Sequence, residues 1–299
     1  MNKTMKCLYL LSFLLIILIA FCPAQNQTQP PQYRQEPAPV SIHQIKGNIY
    51  EVKGGSGANA GFFIGYKEVL VIDAKTTKES AQQMIAEIKK LTPNPIHYVL
   101  LTHSDGDHVG GLVGFPDVVT IISHQNTKKD MDEAFKDSVQ RKYLPKKVFS
   151  ERMDLKIGDK LIQLLHFGPA HTDGDVVVYF PEEKIAFIGD LIFFGRHPLI
   201  HRHKNGNSFG LVKTLKSILE LDADTFVHGH GDIASKSDIK GLVKSIEEKQ
   251  SKIKELIQEG HALEEIKRIF NVEDQPARPG RSPRPSFVEV IYLELTENK

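Results

Sequence analysis

Short apolar runs separated by polar or Gly-rich breaks dominate the chain from residue 49 onward. The first are Ile49-Tyr50-Glu51-Val52, Gly61 to Gly65 and Val69 to Asp73, with breaks at Gly54-Gly55-Ser56-Gly57 and Tyr66-Lys67-Glu68. Their β-branched and aromatic content predicts strands joined by turns. The period then changes. Ala81, Met84, Ile85 and Ile88 share one face of Lys78 to Leu91, which predicts an amphipathic helix that Pro93 and Pro95 end. Further strands are expected at Ile96 to Leu101, Val118 to Ile122, Leu161 to Leu165, Asp175 to Phe180, Lys184 to Ile188 and Thr225 to Val227. Asn126 to Tyr143 mixes Lys with acids and predicts a solvated helical stretch. Helices are also expected at Ser208 to Leu221 and, as a pair, across Ser237 to Ile269. A Pro/Arg-rich loop from Gln275 to Pro285 precedes a last apolar segment, Phe287 to Leu295. No repeat is visible. Two successive sets of strands, each followed by helices, predict two α/β halves packed sheet to sheet with helices outside. The halves share a core, so residues 41–299 are expected as one domain.

The first 40 residues follow a different pattern. Lys3 and Lys6 precede an apolar run from Leu8 to Phe21, and Cys22-Pro23-Ala24 closes it. That is the form of a cleaved signal peptide over residues 1–24, and the run is short for a membrane span. A lipid anchor on Cys22 is the competing reading, disfavoured by bulky Phe21. Gln25 to Val40 is Gln- and Pro-rich and reads as a linker. Export to the periplasm or outside the cell follows, with no membrane span after cleavage. Both cysteines, Cys7 and Cys22, fall within the signal, so a metal in the mature chain must be held by His and carboxylate. The chain carries 38 Lys and Arg against 37 Asp and Glu, and without Lys3 and Lys6 the balance is about neutral. No basic face suggests nucleic acid.

The candidate chemistry begins at His103-Ser104-Asp105-Gly106-Asp107-His108, directly after the strand that ends at Leu101. Loops at strand ends are where α/β folds place their chemistry. Imidazole and carboxylate suit zinc, iron or manganese, but six residues of loop cannot close a metal's shell alone. His171, Asp190 and His230 each lie at the end of, or between, apolar runs and near Gly or Pro, and that recurrence points to the missing ligands.

Thr102 to His108, Gly168-Pro169-Ala170-His171-Thr172-Asp173-Gly174-Asp175, Gly189-Asp190 and Gly229-His230-Gly231 resemble, in order and context, the motifs of the metallo-β-lactamase superfamily. The resemblance covers roughly Ile42 to Ala234 and leaves the final helices as additions. It implies a four-layer αβ/βα sandwich of two mixed β-sheets with outer helices and a dinuclear metal site at one edge. It also implies that His103, the residue at 105 and His171 hold one metal, that Asp107, His108 and His230 hold the other, and that Asp190 bridges them. The usual pattern is H-x-H-x-D-H, and here residue 105 is Asp rather than His. A carboxylate can ligate in its place but shifts preference toward harder ions, as in the family's diiron members, which carry Glu there. Asp105 standing out of the shell is the alternative. Two divalent ions, zinc first and iron or manganese as alternatives, are the expected cofactors.

The expected chemistry is hydrolysis of an ester, thioester, lactone or amide by a hydroxide held between the metals, whose pKa falls from about 15.7 toward about 7. Asp107 would orient it or shuttle its proton. Asp73 looks like the family's acid behind a ligand His, with a capping role equally open, and His228 is a supporting candidate. The basic segment Phe193 to Lys204 suits a small anionic substrate, and His197, nearest Asp190, is its expected contact. β-Lactamase activity is one option within this class. An iron-dependent thiol or sulfur oxygenase on the same fold is the alternative function. A non-catalytic binding module is disfavoured because all seven ligand positions hold competent residue types.

Overall fold

The structure is a computed structural model that describes residues 37–272 and 284–297. The expected signal peptide (1–24), Cys22, residues 25–36 of the linker and most of the Pro/Arg-rich loop lie outside the described residues. In chain order the elements are β1 (Ser41–Lys46), β2 (Ile49–Lys53), β3 (Ala60–Ile64), β4 (Val69–Ile72), α1 (Lys78–Leu91), β5 (Ile96–Leu100), α2 (Gly106–Val109), β6 (Thr120–His124), α3 (Gln125–Ala134), α4 (Ser138–Arg141) and β7 (Lys147–Phe149). There follow β8 (Arg152–Ile157), β9 (Lys160–Leu165), β10 (Val177–Phe180), β11 (Ile185–Phe187), α5 (Ser208–Leu219), β12 (Thr225–Val227), α6 (Lys236–Gln258), α7 (Leu263–Ile269) and α8 (Phe287–Thr296).

All four residues of β4 are buried, so both of its faces need cover. Val69 and Val71 pack on one side with Ala81, Met84, Ile85 and Ile88 of α1. Leu70 and Ile72 face the other way, into a core shared with Ile162 and Leu164 of β9, Val178 and Phe180 of β10, and Ile185 and Phe187 of β11. Strand side chains alternate between faces, so a strand buried throughout must be sandwiched. The result is two sheets. The first has seven strands in the order β1-β2-β3-β4-β5-β6-β7, the second five in the order β12-β11-β10-β9-β8. The first is antiparallel from β1 to β4 and parallel from β4 to β7. The second is antiparallel except for the β11–β12 pair. Both are therefore mixed. Phe63 of the first sheet and Phe180 of the second meet with ring centroids 5.9 Å apart. The outer face of the second sheet is covered by α5, α6, α7 and α8. Helix, sheet, sheet, helix is the four-layer order expected from the sequence.

Three strands have no counterpart in the apolar pattern: β1, β7 and β8. All lie at sheet edges, where polar side chains remain in water and the apolar run that betrays an inner strand is lacking. The expected helix from 126 to 143 is two pieces. Asp137 separates them, accepting from the amides of Val139 and Gln140 at 2.9 Å to cap α4. The last apolar segment is the helix α8, capped by Ser286. Residues 37–40, the end of the expected linker, lie against the domain: Ala38 O accepts from Gly55 N at 2.6 Å. No helix among the described residues is long and apolar enough to cross a membrane.

Candidate metal centre

The site is assembled from strand ends on both sheets. After β4 the chain turns at Asp73, whose φ of 62° is unusual for a residue with a side chain. That turn aims the carboxylate at the start of the His103 loop. Thr102 donates to it twice, from its amide to Oδ1 at 2.8 Å and from its hydroxyl to Oδ2 at 2.7 Å. His108 Nδ1 lies 2.8 Å from the same Oδ2. This bond fixes a proton on Nδ1 and turns Nε2 of His108 toward Asp190. The Thr102 hydroxyl has given its one proton to Asp73, so it accepts from His103 Nδ1 at 3.1 Å. His171 is fixed likewise, donating from Nδ1 to Leu199 O at 2.7 Å. Three imidazoles thus have Nδ1 engaged and Nε2 directed inward, as metal-binding histidines held by outer partners are.

Asp190 receives them. Its Oδ1 lies 3.2 Å from His108 Nε2 and its Oδ2 3.2 Å from His230 Nε2. His230 Nε2 is also 3.1 Å from Asp107 Oδ2. Gly229 makes this approach possible, because a Cβ there would lie 2.1 Å from Asp190 Oδ1. The donor atoms of Asp107, His108, Asp190 and His230 all fall within 4.8 Å of one another, and so do those of His103, His171 and Asp190. Asp190 belongs to both groups. Asp105, His171 and His201 form a third. All seven ligand candidates named from the sequence are therefore brought together.

Two other candidates are placed differently. His197 stacks on Phe287 of α8 with centroids 6.4 Å apart and joins none of these groups. His228 is buried, with Nε2 2.8 Å from Asp232 O, and supports the loop that carries His230 rather than a ligand ring. His201 is the residue that the sequence did not single out. It is one of three histidines in a basic stretch, and its burial at 4% exposure beside Asp105 sets it apart.

Charge in the cluster is strongly organised. Burial alone would raise Asp190, but the charge of His108 beside it, with His230 close by, holds its carboxyl well below the usual range. His108 would be lowered by burial, yet Asp190 and Asp73 hold it well above the ordinary imidazole value. His103, with no such bond, is pushed well below by burial. His230 is raised to about 9, chiefly by its bond to Asp107. His171 reaches about 9 because Asp105 outweighs burial. Asp105 is lowered, the bonds from His171 and His201 overcoming its desolvation. On the outer side Phe193 forms a wall, stacked with His230 at 5.6 Å, and the Arg196 guanidinium lies 3.9 Å above the Phe193 ring.

The metallo-beta-lactamase superfamily profile matches residues 54–230, a span that closes on the last of these candidates. The chain belongs to the metallo-beta-lactamase superfamily. Curated relatives agree. The chain is 26% identical over 204 residues to the alpha subunit of a 2,4-dinitroanisole O-demethylase from Nocardioides, covering 67% of this chain and 60% of that one. It is 29% identical over 170 residues to a type 2 metallo-beta-lactamase of Elizabethkingia meningoseptica, covering 54% and 66%. It is 30% identical over 165 residues to a hydroxyacylglutathione hydrolase of Haemophilus influenzae, covering 50% and 76%. The chain thus spans less than two thirds of the first two. A metallo-beta-lactamase from Pontibacter korlensis superposes with a TM-score of 0.60 at 18% identity, over 69% of this chain and 99% of that one. The DIM-1 metallo-beta-lactamase gives 0.61 at 20%, over 71% and 99%. At those identities the likeness concerns the fold.

The residues present fit the divalent metals of the metallo-beta-lactamase superfamily. His103 Nε2, His108 Nε2 and Asp190 Oδ1 are buried and have no hydrogen-bond partner. Buried polar atoms are rarely left so, because each costs about 1–3 kcal/mol. Three such atoms on neighbouring members of one cluster are what a metal would satisfy.

Proposed function

We propose that the protein is an exported dinuclear metallohydrolase that cleaves an ester, thioester, lactone or amide of a small molecule. The observation that carries this reading is the double membership of Asp190. A single buried carboxylate belongs to the His103–His171 group and to the Asp107–His108–His230 group, and a carboxylate has two oxygens with which to serve two ions. His103, His171 and Asp105 would hold one ion, Asp107, His108 and His230 the other, with Asp190 shared. Zinc is favoured, with iron and manganese as alternatives. The ions would supply Lewis acidity and an acidified water, with a pKa near about 7.

The chain's own groups do the remaining work. Asp73 and Leu199 O hold the ligand rings in the tautomer that exposes Nε2. Asp107 is the half-exposed carboxylate of the set, with 34% of its side chain accessible. It would orient the attacking water and hold the proton released as that water adds to the scissile carbonyl. The same proton leaves with the departing oxygen, sulfur or nitrogen, so no external acid is needed. Phe193 closes one side against solvent, and the cationic Arg196 above it suits an anionic substrate. The amino-terminal signal pattern supports a periplasmic or secreted location.

A second reading has its own observation. His103, His171 and Asp190 are two histidines and a carboxylate, the donor set of non-haem iron oxygenases. The test covers both. Zinc, manganese and iron forms should be assayed against nitrocefin, a thioester, a lactone and a phosphodiester. Hydrolysis of one acyl substrate is expected, lost by about 100-fold or more in His108→Ala and Asp190→Ala, the scale of one lost electrostatic stabiliser. Activity only as dioxygen-dependent oxidation of a small thiol, assayed alongside with the iron form, favours the second reading. Full hydrolysis in both variants sinks the first.

A further inference from the structure

Asp105 and His201 make a pairing that a simple substitution of one ligand for another does not explain. Asp105 caps α2 without a side-chain hydrogen bond to it, so its carboxylate is free to turn inward. There Oδ2 lies 2.8 Å from His201 Nε2, 3.3 Å from His171 Nε2 and 3.8 Å from His103 Nε2. The other oxygen is held by Lys204 Nζ at 2.7 Å, and Lys204 also reaches Ser104 Oγ at 2.9 Å, which donates to Asp130 at 2.7 Å. His201 is fixed by backbone as well. Its amide donates to His171 O at 2.9 Å, and Asn207 N donates to Ala170 O at 2.8 Å. Gly206 lets the two segments close, since a Cβ there would lie 2.3 Å from His171 O. The ring is thus held beside His171, with centroids 4.6 Å apart.

We propose that Asp105, His171 and His201 form an outer seat for a divalent cation, alternative to the inner seat of His103, His171 and Asp190, so that His201 is a metal ligand. The proposal rests on the metal-binding reading above, but not on hydrolysis. Two donors to one ion can stand no more than about 4.2 Å apart when metal–nitrogen bonds are about 2.1 Å. The donors of the outer trio lie within 4.8 Å of one another, a spread that small side-chain movements close. His171 Nε2 has one lone pair and serves one ion at a time. The seats therefore compete, and the total stays at two ions rather than three. Two nitrogens and an oxygen suit zinc, cobalt or iron(II). The Lys204 ammonium on the same carboxylate makes the outer seat the weaker. It is also nearer solvent: the Asp105 side chain is 14% exposed and that of Asp190 is 4%. An ion entering the first site would rest there before moving inward.

The test is cobalt titration of the chelator-stripped full chain, read by metal content and by the visible spectrum of cobalt. His103→Ala breaks the inner seat and should still bind about two ions, one of them in the outer seat. The double variants His103→Ala/His201→Ala and His103→Ala/His201→Gln should each fall to about one. Gln can donate a hydrogen bond to Asp105 but cannot replace imidazole as a ligand, so two ions retained in the Gln variant overturn the proposal and leave His201 a positioning residue. Loss of the second ion in His103→Ala alone overturns it too. Should His103→Ala not fold, His201→Gln alone should load cobalt measurably more slowly than the wild type while reaching the same final metal content. An unchanged loading rate would count against the seat. A chain that binds two ions and hydrolyses nothing defeats the hydrolase reading and leaves this one standing. A wild-type chain that binds none defeats both.

Discussion

Asp73 touches no candidate donor atom facing the centre, yet its carboxylate determines how two of them point. It accepts from Thr102 and from His108 Nδ1, and Thr102 in turn accepts from His103. Asp73→Ala should therefore weaken metal binding by about 10–100-fold, as loss of such outer partners does. Competition with a chromophoric chelator would measure it, and an unchanged affinity would reduce Asp73 to a turn residue. Gly229→Ala makes a complementary case. The new Cβ, 2.1 Å from Asp190 Oδ1 and 2.9 Å from His108 Cε1, should abolish binding of metal while far-ultraviolet dichroism stays native. Lys75 has a different consequence. Its ammonium is buried with a hydrogen bond to Ala58 O, and burial pushes it down to about 8. A base whose pKa is lower folded than unfolded adds stability at high pH and loses it as pH falls through the folded value. The wild type should therefore gain up to roughly 3 kcal/mol between about pH 7.5 and 10.5 that Lys75→Met does not. The difference in melting temperature between the two is the readout.

Among the strands, those with two buried faces were legible in the sequence and those with one were not. β4, β5 and β10 appear as apolar runs because each is covered on both sides. Edge strands such as β8, with every second residue facing water, carry too few apolar positions to stand out. The ligand loops were legible for a related reason: His and Asp at the ends of apolar runs break a pattern the core otherwise enforces. His201 was not, because what makes it part of the site is the backbone pairing of its segment with the His171 loop, a contact between distant residues that no local pattern encodes. Helix α8 shows how far the carboxy-terminal elements are separable from the chemistry. Ile291 is fully buried against the second sheet's helices, so Ile291→Ala should destabilise the fold by about 2–5 kcal/mol. Metal affinity should be unchanged, since the family match ends at residue 230. A parallel loss of metal binding would tie α8 to the site.

Across the whole molecule the site joins the two sheets. His103, Asp105, Asp107 and His108 follow β5 of the first sheet, whereas His171, Asp190 and His230 follow strands of the second. Ions bound between them would link the halves, and a ligand that binds only the folded state stabilises it, by about 2.7 kcal/mol at a hundredfold excess over Kd. The same placement explains why the parts of the site are cheap to recognise and hard to assemble from sequence: each ligand is local, but their common centre exists only once both sheets have packed. Metal content after exhaustive dialysis tests the central claim most directly, with wild type and Asp190→Ala compared by elemental analysis. About two divalent ions per wild-type chain are expected, with a loss of at least one in the variant. Less than about half an equivalent of any metal in the wild type, or equal content in both, would contradict the claim.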